Sequence, residues 1–284
     1  MNLAIALVLT SLLLTALNDF VFKIFASKKR SLGGFIALNG LLGGLLVLCF
    51  RPEMGENLWL TIGWGILGGI MSVSANIFLI EAMARQSAGL CSTIYRMNMV
   101  LVILGACLFL GERIEGVHQI LALLCAFLAI VMFMPMGKDV GDFNWAGFVM
   151  ALVACFLRSL MGLVYKAAIN QGVDNNAMSF ITEICWLFVG LGYVLIRERR
   201  WDWLKDKSVL TLGTIGGLFV GGIVLCMAGS LYLGDASKVL PMAQMSFLVT
   251  FLLGVFFLHE KADTRKILAV VCGMVTVILL AMKL

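Results

Sequence analysis

Charge is scarce in this chain: Asp, Glu, Lys and Arg make up 13% of its 284 residues, about half the share of an ordinary soluble domain. So few charges exclude a water-facing globular surface. Proline is scarcer still, with three residues in all, so helices can run with few enforced breaks. The two histidines, His118 and His259, sit at loop edges without companions at metal-ligand spacing. No phosphate loop, nucleophile elbow or zinc spacing occurs. An enzyme is therefore not expected, and neither a cofactor nor a metal is implied. The apolar stretch Met1 to Leu14 has no basic residues ahead of it, which argues against a cleaved leader and for a retained first helix.

What is present is long apolar sequence, 62% hydrophobic residues with a mean hydropathy of +1.04. A helical span takes about 20 mainly apolar residues. The qualifying stretches are Leu3 to Phe25, Leu32 to Phe50, Leu58 to Ala82, Ala88 to Leu110, Val117 to Met134, Trp145 to Ile169, Ala177 to Ile196, Ser208 to Leu233, Lys238 to Leu258 and Lys266 to Met282. The expected fold is an all-α integral membrane protein with ten transmembrane helices. The longest connections are Arg197 to Lys207 and Met136 to Asp142, so no soluble catalytic or nucleic-acid-binding domain has room. The net charge of +5 mostly reflects bases at span ends, where they meet headgroups, and implies no nucleic acid. The eight cysteines lie scattered through apolar stretches and read as buried small hydrophobes.

An internal echo organises the chain. The segment Phe109 to Cys125, FLGERIEGVHQILALLC, returns as FFLHEKADTRKILAVVC, Phe256 to Cys272. Val21-Phe22-Lys23 near the end of the first span matches Val164-Tyr165-Lys166 in the sixth, and the third span of each half is rich in glycine: Gly63, Gly65, Gly68 and Gly69, then Gly213, Gly216, Gly217, Gly221 and Gly222. Glycines at such spacing let helix backbones approach closely in lipid. Residues 1–136 and 137–284 are thus read as two five-helix repeats. Each holds an odd number of spans, so they insert with opposite orientation.

The two five-helix halves, the Leu-x-Glu endings of the fourth and ninth helices (Leu110-Gly111-Glu112 and Leu258-His259-Glu260) and Pro241 near the start of the ninth resemble the drug/metabolite transporter superfamily, EamA-like branch. The resemblance covers essentially the whole chain. It implies a secondary transporter whose helices one, three, four, six, eight and nine line a path. The architecture is shared by carriers of amino acids, nucleotide sugars, drugs and other metabolites, so the substrate stays open. Thr93 stands where the second half has Pro241, so a helix irregularity is expected in the ninth helix without a counterpart in the fourth.

Orientation draws two answers. The loops after helices one, three, five, seven and nine carry thirteen bases, whereas the other side holds only Arg51, Arg113, Lys238 and Lys283. The positive-inside rule then puts both termini outside. The family resemblance implies termini inside.

Polar groups within spans cost about 2.5–3.5 kcal/mol each on insertion scales and so point to a cavity or a partner. The candidates for substrate binding are Asp19, Lys23, Asn76, Tyr95, Arg96, Asn98, Arg158, Tyr165, Lys166, Glu183 and Gln244, with Asn18 beside the first of them. Asp19 and Arg96 lie at similar depth and are within reach of each other. Gln244 holds the repeat position of Arg96. Four bases against two acids in this set favour an anionic or zwitterionic substrate, because guanidinium binds carboxylate and phosphate bidentately. Lys23 and Lys166 can also snorkel to the interface. Arg96 with Asp19, and Arg158 with Glu183, can also be structural ion pairs. Glu81 and Arg85 read as a surface or gate pair, and Glu112 and Glu260 as organisers of turns. The expectation is a secondary transporter of a small polar metabolite in a lipid bilayer, a bacterial inner membrane, as a monomer or homodimer. A cationic multidrug exporter and a lipid-linked carrier or flippase are the alternatives.

Overall fold

The computed structural model describes residues 2–49, 57–109, 117–134, 143–199, 201–233, 239 and 242–282. Among them every regular element is helical: α1 (Asn2–Ala26), α2 (Leu32–Leu48), α3 (Leu58–Met83), α4 (Ala88–Arg96), α5 (Asn98–Phe109), α6 (Val117–Phe133), α7 (Trp145–Asn170), α8 (Asn175–Tyr193), α9 (Lys207–Leu233), α10 (Ser246–Leu258) and α11 (Thr264–Ala281). Six stretches among the described residues are long and apolar enough to cross a membrane, with shorter apolar helices beside them. The echoed residues Glu112 and Arg113, together with Pro241, fall outside the described set.

Local chemistry starts these helices where the sequence changes character. Ser31, Asn57, Ser87, Asn144, Asp174 and Asp263 each accept a bond from the backbone N–H three residues on, which satisfies one of the donors a helix start leaves free. Asp206, ahead of α9, accepts from the hydroxyl and the N–H of Ser208. Those bonds hold its carboxyl below the usual range.

The packing turns the rule for soluble proteins inside out. Leu3, Leu13, Phe127, Phe188, Phe256 and Phe257 face outward, while Asn18, Asp19, Asn39, Ser72, Asn76 and Glu183 are buried. Such an apolar exterior suits hydrocarbon, where backbone bonds must close within helices. This is an integral membrane protein.

Glycine contacts give the direction in which neighbouring helices run. Leu38, Leu42 and Leu46 of α2 meet Gly213, Gly217 and Gly221 of α9 in that order, so the pair is parallel; α3 and α8 repeat the arrangement, with Gly65 at Ile181 and Gly69 at Cys185. Helices α1 and α9 are antiparallel, with Leu7 at Gly229 and Leu14 at Gly222, and so are α7 and α3, with Gly147 at Arg85 and Tyr165 at Gly68. Two further pairs, α2 with α8 and α4 with α10, also run antiparallel: Gly33 lies at Gly190 and Gly43 at Glu183, Ala88 at Gly254 and Gly89 at Phe251. Helices α6 and α11 pack on each other, joined by a bond from Thr276 Oγ1 to the Ala122 carbonyl.

One expectation needs correcting. The fourth span is irregular at Met97, where φ is −70° and ψ is −1°. Met245 in the second half has φ −70° and ψ 1°. Each methionine N–H bonds back three residues (Met97 to Ile94, shared with Thr93, and Met245 to Met242), and each methionine carbonyl takes the N–H three residues on. The matched sequences Arg96-Met97-Asn98 and Gln244-Met245-Ser246 therefore share a short 3₁₀-like turn. The irregularity is present in both halves, and in the first it forms without proline.

Candidate functional site

A cavity of about 410 Å³ opens between α1, α3, α4, α7, α8 and α9, within the size range of small-molecule sites. Of the residues singled out from sequence, Asp19, Asn76, Tyr95, Arg96, Arg158, Tyr165 and Glu183 line it. The remaining four, Lys23, Asn98, Lys166 and Gln244, are not among its lining. The seventh span (α8), outside the path helices that the resemblance implies and represented among the candidates by Glu183 alone, supplies a whole wall; the described residues of the ninth (α10), one of those path helices, do not line the cavity and reach its Asp19 through Thr250.

Asp19 closes on Arg96: Nη2 lies 3.2 Å from Oδ2, and Thr250 Oγ1 donates to the same oxygen at 3.2 Å. Asp19 is buried and Arg96 nearly so, so the Arg96 charge is compensated in place. Arg158 is placed differently. Its guanidinium contacts Met161 Sδ at 3.1 Å and lies 6.0 Å from the centre of the Tyr95 ring, which Arg96 also approaches, at 5.4 Å. No ion pair closes on Arg158 among the described residues. Glu183, 5% exposed, has an Oε2 with no hydrogen-bond partner. The alternative of a structural Arg158 to Glu183 ion pair is thus not realised, and among the described residues the cavity keeps one base and one acid outside any ion pair.

Uncharged groups fill the rest. Tyr165 Oη and Thr182 Oγ1 are 2.8 Å apart, and Trp186 Nε1 donates to Ser72 Oγ. Asn175, Asn176, Ser179, Thr182 and Glu183 stand with Trp186 on one face of α8 and all line the cavity. A stripe of polar residues recurring every three or four positions in an apolar helix is the signal that would have found this wall from sequence.

The cavity is closed at one end. Phe22, at its floor, packs with Phe35, which stacks on Phe25 with ring centres 4.1 Å apart. Beyond this plug Lys23 Nζ donates to the carbonyls of Met83 at 2.7 Å and Gln86 at 2.6 Å, satisfying the end of α3, and lies 3.7 Å from Glu260 Oε1. Glu260 in turn accepts the Ala88 N–H at 2.7 Å and so caps α4. Lys23 is therefore neither a cavity residue nor a snorkelling one: it joins α1, α3, α4 and the end of α10. Glu81 and Arg85 pair at 2.6 Å, half exposed. At the other end the lining reaches Asn175, Asn176 and Leu231, and Asn175 is exposed.

Comparison with known proteins bears on this arrangement. Residues 145–282 match the model of the EamA-like transporter family. The chain is also 22% identical over 270 residues to a protein of Lactobacillus johnsonii named "Putative sugar uptake protein", covering 90% of this chain and 91% of that one. A crystal structure of another protein aligns over 99% of both chains, with a TM-score of 0.61 at 17% identity, and supports the fold. The matched segment holds α7 to α11, and the cavity draws on α7, α8 and α9 from it and on α1, α3 and α4 from the residues before it.

Proposed function

We propose that the chain is a ten-span secondary transporter, built as two inverted repeats (1–136 and 137–284), that moves a small anionic or zwitterionic metabolite by alternating access. The observation carrying this reading is Arg158, a guanidinium in the cavity wall with no carboxylate closed upon it, beside an Arg96 that Asp19 neutralises. An arginine held in this way selects a carboxylate or phosphate.

The repeat reading is supported by the packing. Exchanging α1, α2, α3 and α4–α5 with α7, α8, α9 and α10 maps each helix pair onto another of the same sense, and the self-paired helices α2/α8 and α4/α10 run antiparallel. A twofold axis along the helices would make those pairs parallel. An axis across them, in the membrane plane, makes them antiparallel.

A second reading has its own support. The amides and hydroxyls of the α8 stripe, with Trp186 among them, suit a sugar, and the Lactobacillus relative bears that name. Uptake into proteoliposomes with alanine, succinate, inorganic phosphate, glucose and a quaternary ammonium ion separates the readings. Uptake of a carboxylate or phosphate compound that Arg158→Gln weakens is expected; uptake of glucose alone, unchanged in Arg158→Gln, would replace the first reading with the second.

A further inference from the structure

Glu183 is the one carboxylate of the cavity that the ion pairs leave out. It is buried in the wall that α8 presents, and the helix behind it offers nothing to bond: α2 meets it with Gly40, Gly43 and Gly44, so closely that a methyl group on Gly43 would lie 2.7 Å from Oε2. From α3 come Ser72 and Asn76, which carry no charge, from α9 comes Val220, and from α7 come the Tyr165 hydroxyl and Arg158. On α8 itself the nearest titratable neighbour is Cys185, which faces Gly69 of α3. Among the described residues Arg158 is therefore the only charged side chain that helices packed against α8 present here, and no ion pair closes between the two. The alignment of halves that puts Lys23 on Lys166 puts Gly40 on Glu183, so the carboxylate has no counterpart in the first repeat.

We propose that Glu183 is a proton-binding site of the transport cycle and that proton and substrate anion travel together. This rests on the reading of the cavity as an anion site. A carboxylate buried to this degree, with its Oε2 unpartnered, is far less costly as the neutral acid. When an anion settles on Arg158 it cancels the one positive charge facing Glu183. The proton then binds more firmly, and by linkage the anion binds more firmly when the proton is present. Opening to the side of lower proton concentration releases both. No bond other than O–H at Glu183 forms or breaks: the proton enters from water on one side and leaves to water on the other.

Two measurements test this. Infrared spectra of purified protein across a pH series need no substrate: a protonated-carboxyl stretch is expected at neutral pH in the wild type and is lost in Glu183→Gln. Absence of any such difference shows Glu183 ionised and overturns the proposal. Proteoliposomes holding a pH-sensitive dye are then given succinate, inorganic phosphate or alanine from outside. Acidification of the lumen alongside uptake is expected in the wild type. In Glu183→Gln the pH signal is lost while exchange of the compound across equal concentrations continues. Uptake without a pH change overturns the coupling and leaves the anion-transporter reading standing. A protonated Glu183 with only glucose taken up overturns the anion reading and, with it, the linkage to Arg158, while the proton site itself survives.

Discussion

Two arginines in one cavity carry opposite expectations. Arg96 is tied to Asp19, which also accepts from Thr250, so Arg96→Gln strands a buried carboxylate. Breaking such a pair costs about 3–5 kcal/mol, and the variant is expected to lose thermal stability in detergent while the Asp19→Asn/Arg96→Gln double variant recovers part of it. Arg158 has no ion pair among the described residues to lose. Arg158→Gln should leave the melting temperature close to wild type and weaken binding of an anionic ligand. Measuring melting temperature and binding on the same proteins decides the matter, and a large stability loss in Arg158→Gln would mean that its contacts to Met161 and Tyr95 are structural.

At the scale of the element, glycine positions differ according to what faces them. A methyl group on Gly65 of α3 would lie 2.7 Å from Ile181 Cβ, whereas nothing stands within 4 Å of one on Gly63. Gly65→Ala is therefore expected to destabilise by pushing α3 off α8. Gly63→Ala, on an exposed helix surface, should be neutral or stabilising by up to about 1 kcal/mol through helix propensity. Equal effects in a thermal unfolding series would show that the α3/α8 contact is looser than described. The turns at Met97 and Met245 belong to the same scale: they sit at one repeat position in each half, beside the cavity arginine Arg96 in the first and Gln244 in the second.

For the molecule as a whole, the cavity is plugged by Phe22, Phe25 and Phe35 and tied beyond them by Lys23 and Glu260, while Asn175 stands at the open end. In a cysteine-free background, Asn175→Cys is expected to react with a membrane-impermeant thiol reagent from the outside of intact cells, and Lys205→Cys, in the basic loop, only after permeabilisation. The reverse pattern would place the termini inside, as the family resemblance implies, and set aside the charge count. Lys23→Met removes the bonds that finish α3 and the charge facing Glu260. It should raise reactivity of cysteines on the basic face by loosening the closed end, with little change at Asn175→Cys.

Membrane class, the approximate spans and the echo between halves were legible in the sequence, because each rests on local quantities: apolar run length, scarcity of charge and a repeated motif. The pairing of Asp19 with Arg96 was within reach for a similar reason, since depth in a membrane helix follows from counting residues. What the fold alone decided was rotation and neighbourhood. Lys23 and Asp19 stand one turn apart, yet one closes a helix end and the other faces the cavity, because the residues beyond each come from helices distant in sequence. The α8 wall, the freedom of Arg158 and the isolation of Glu183 against the glycines of α2 depend on which helix lies alongside which. Lipid makes every apolar helix face equally acceptable at the level of composition, so only close packing between specific faces, set largely by glycines, determines which polar groups meet.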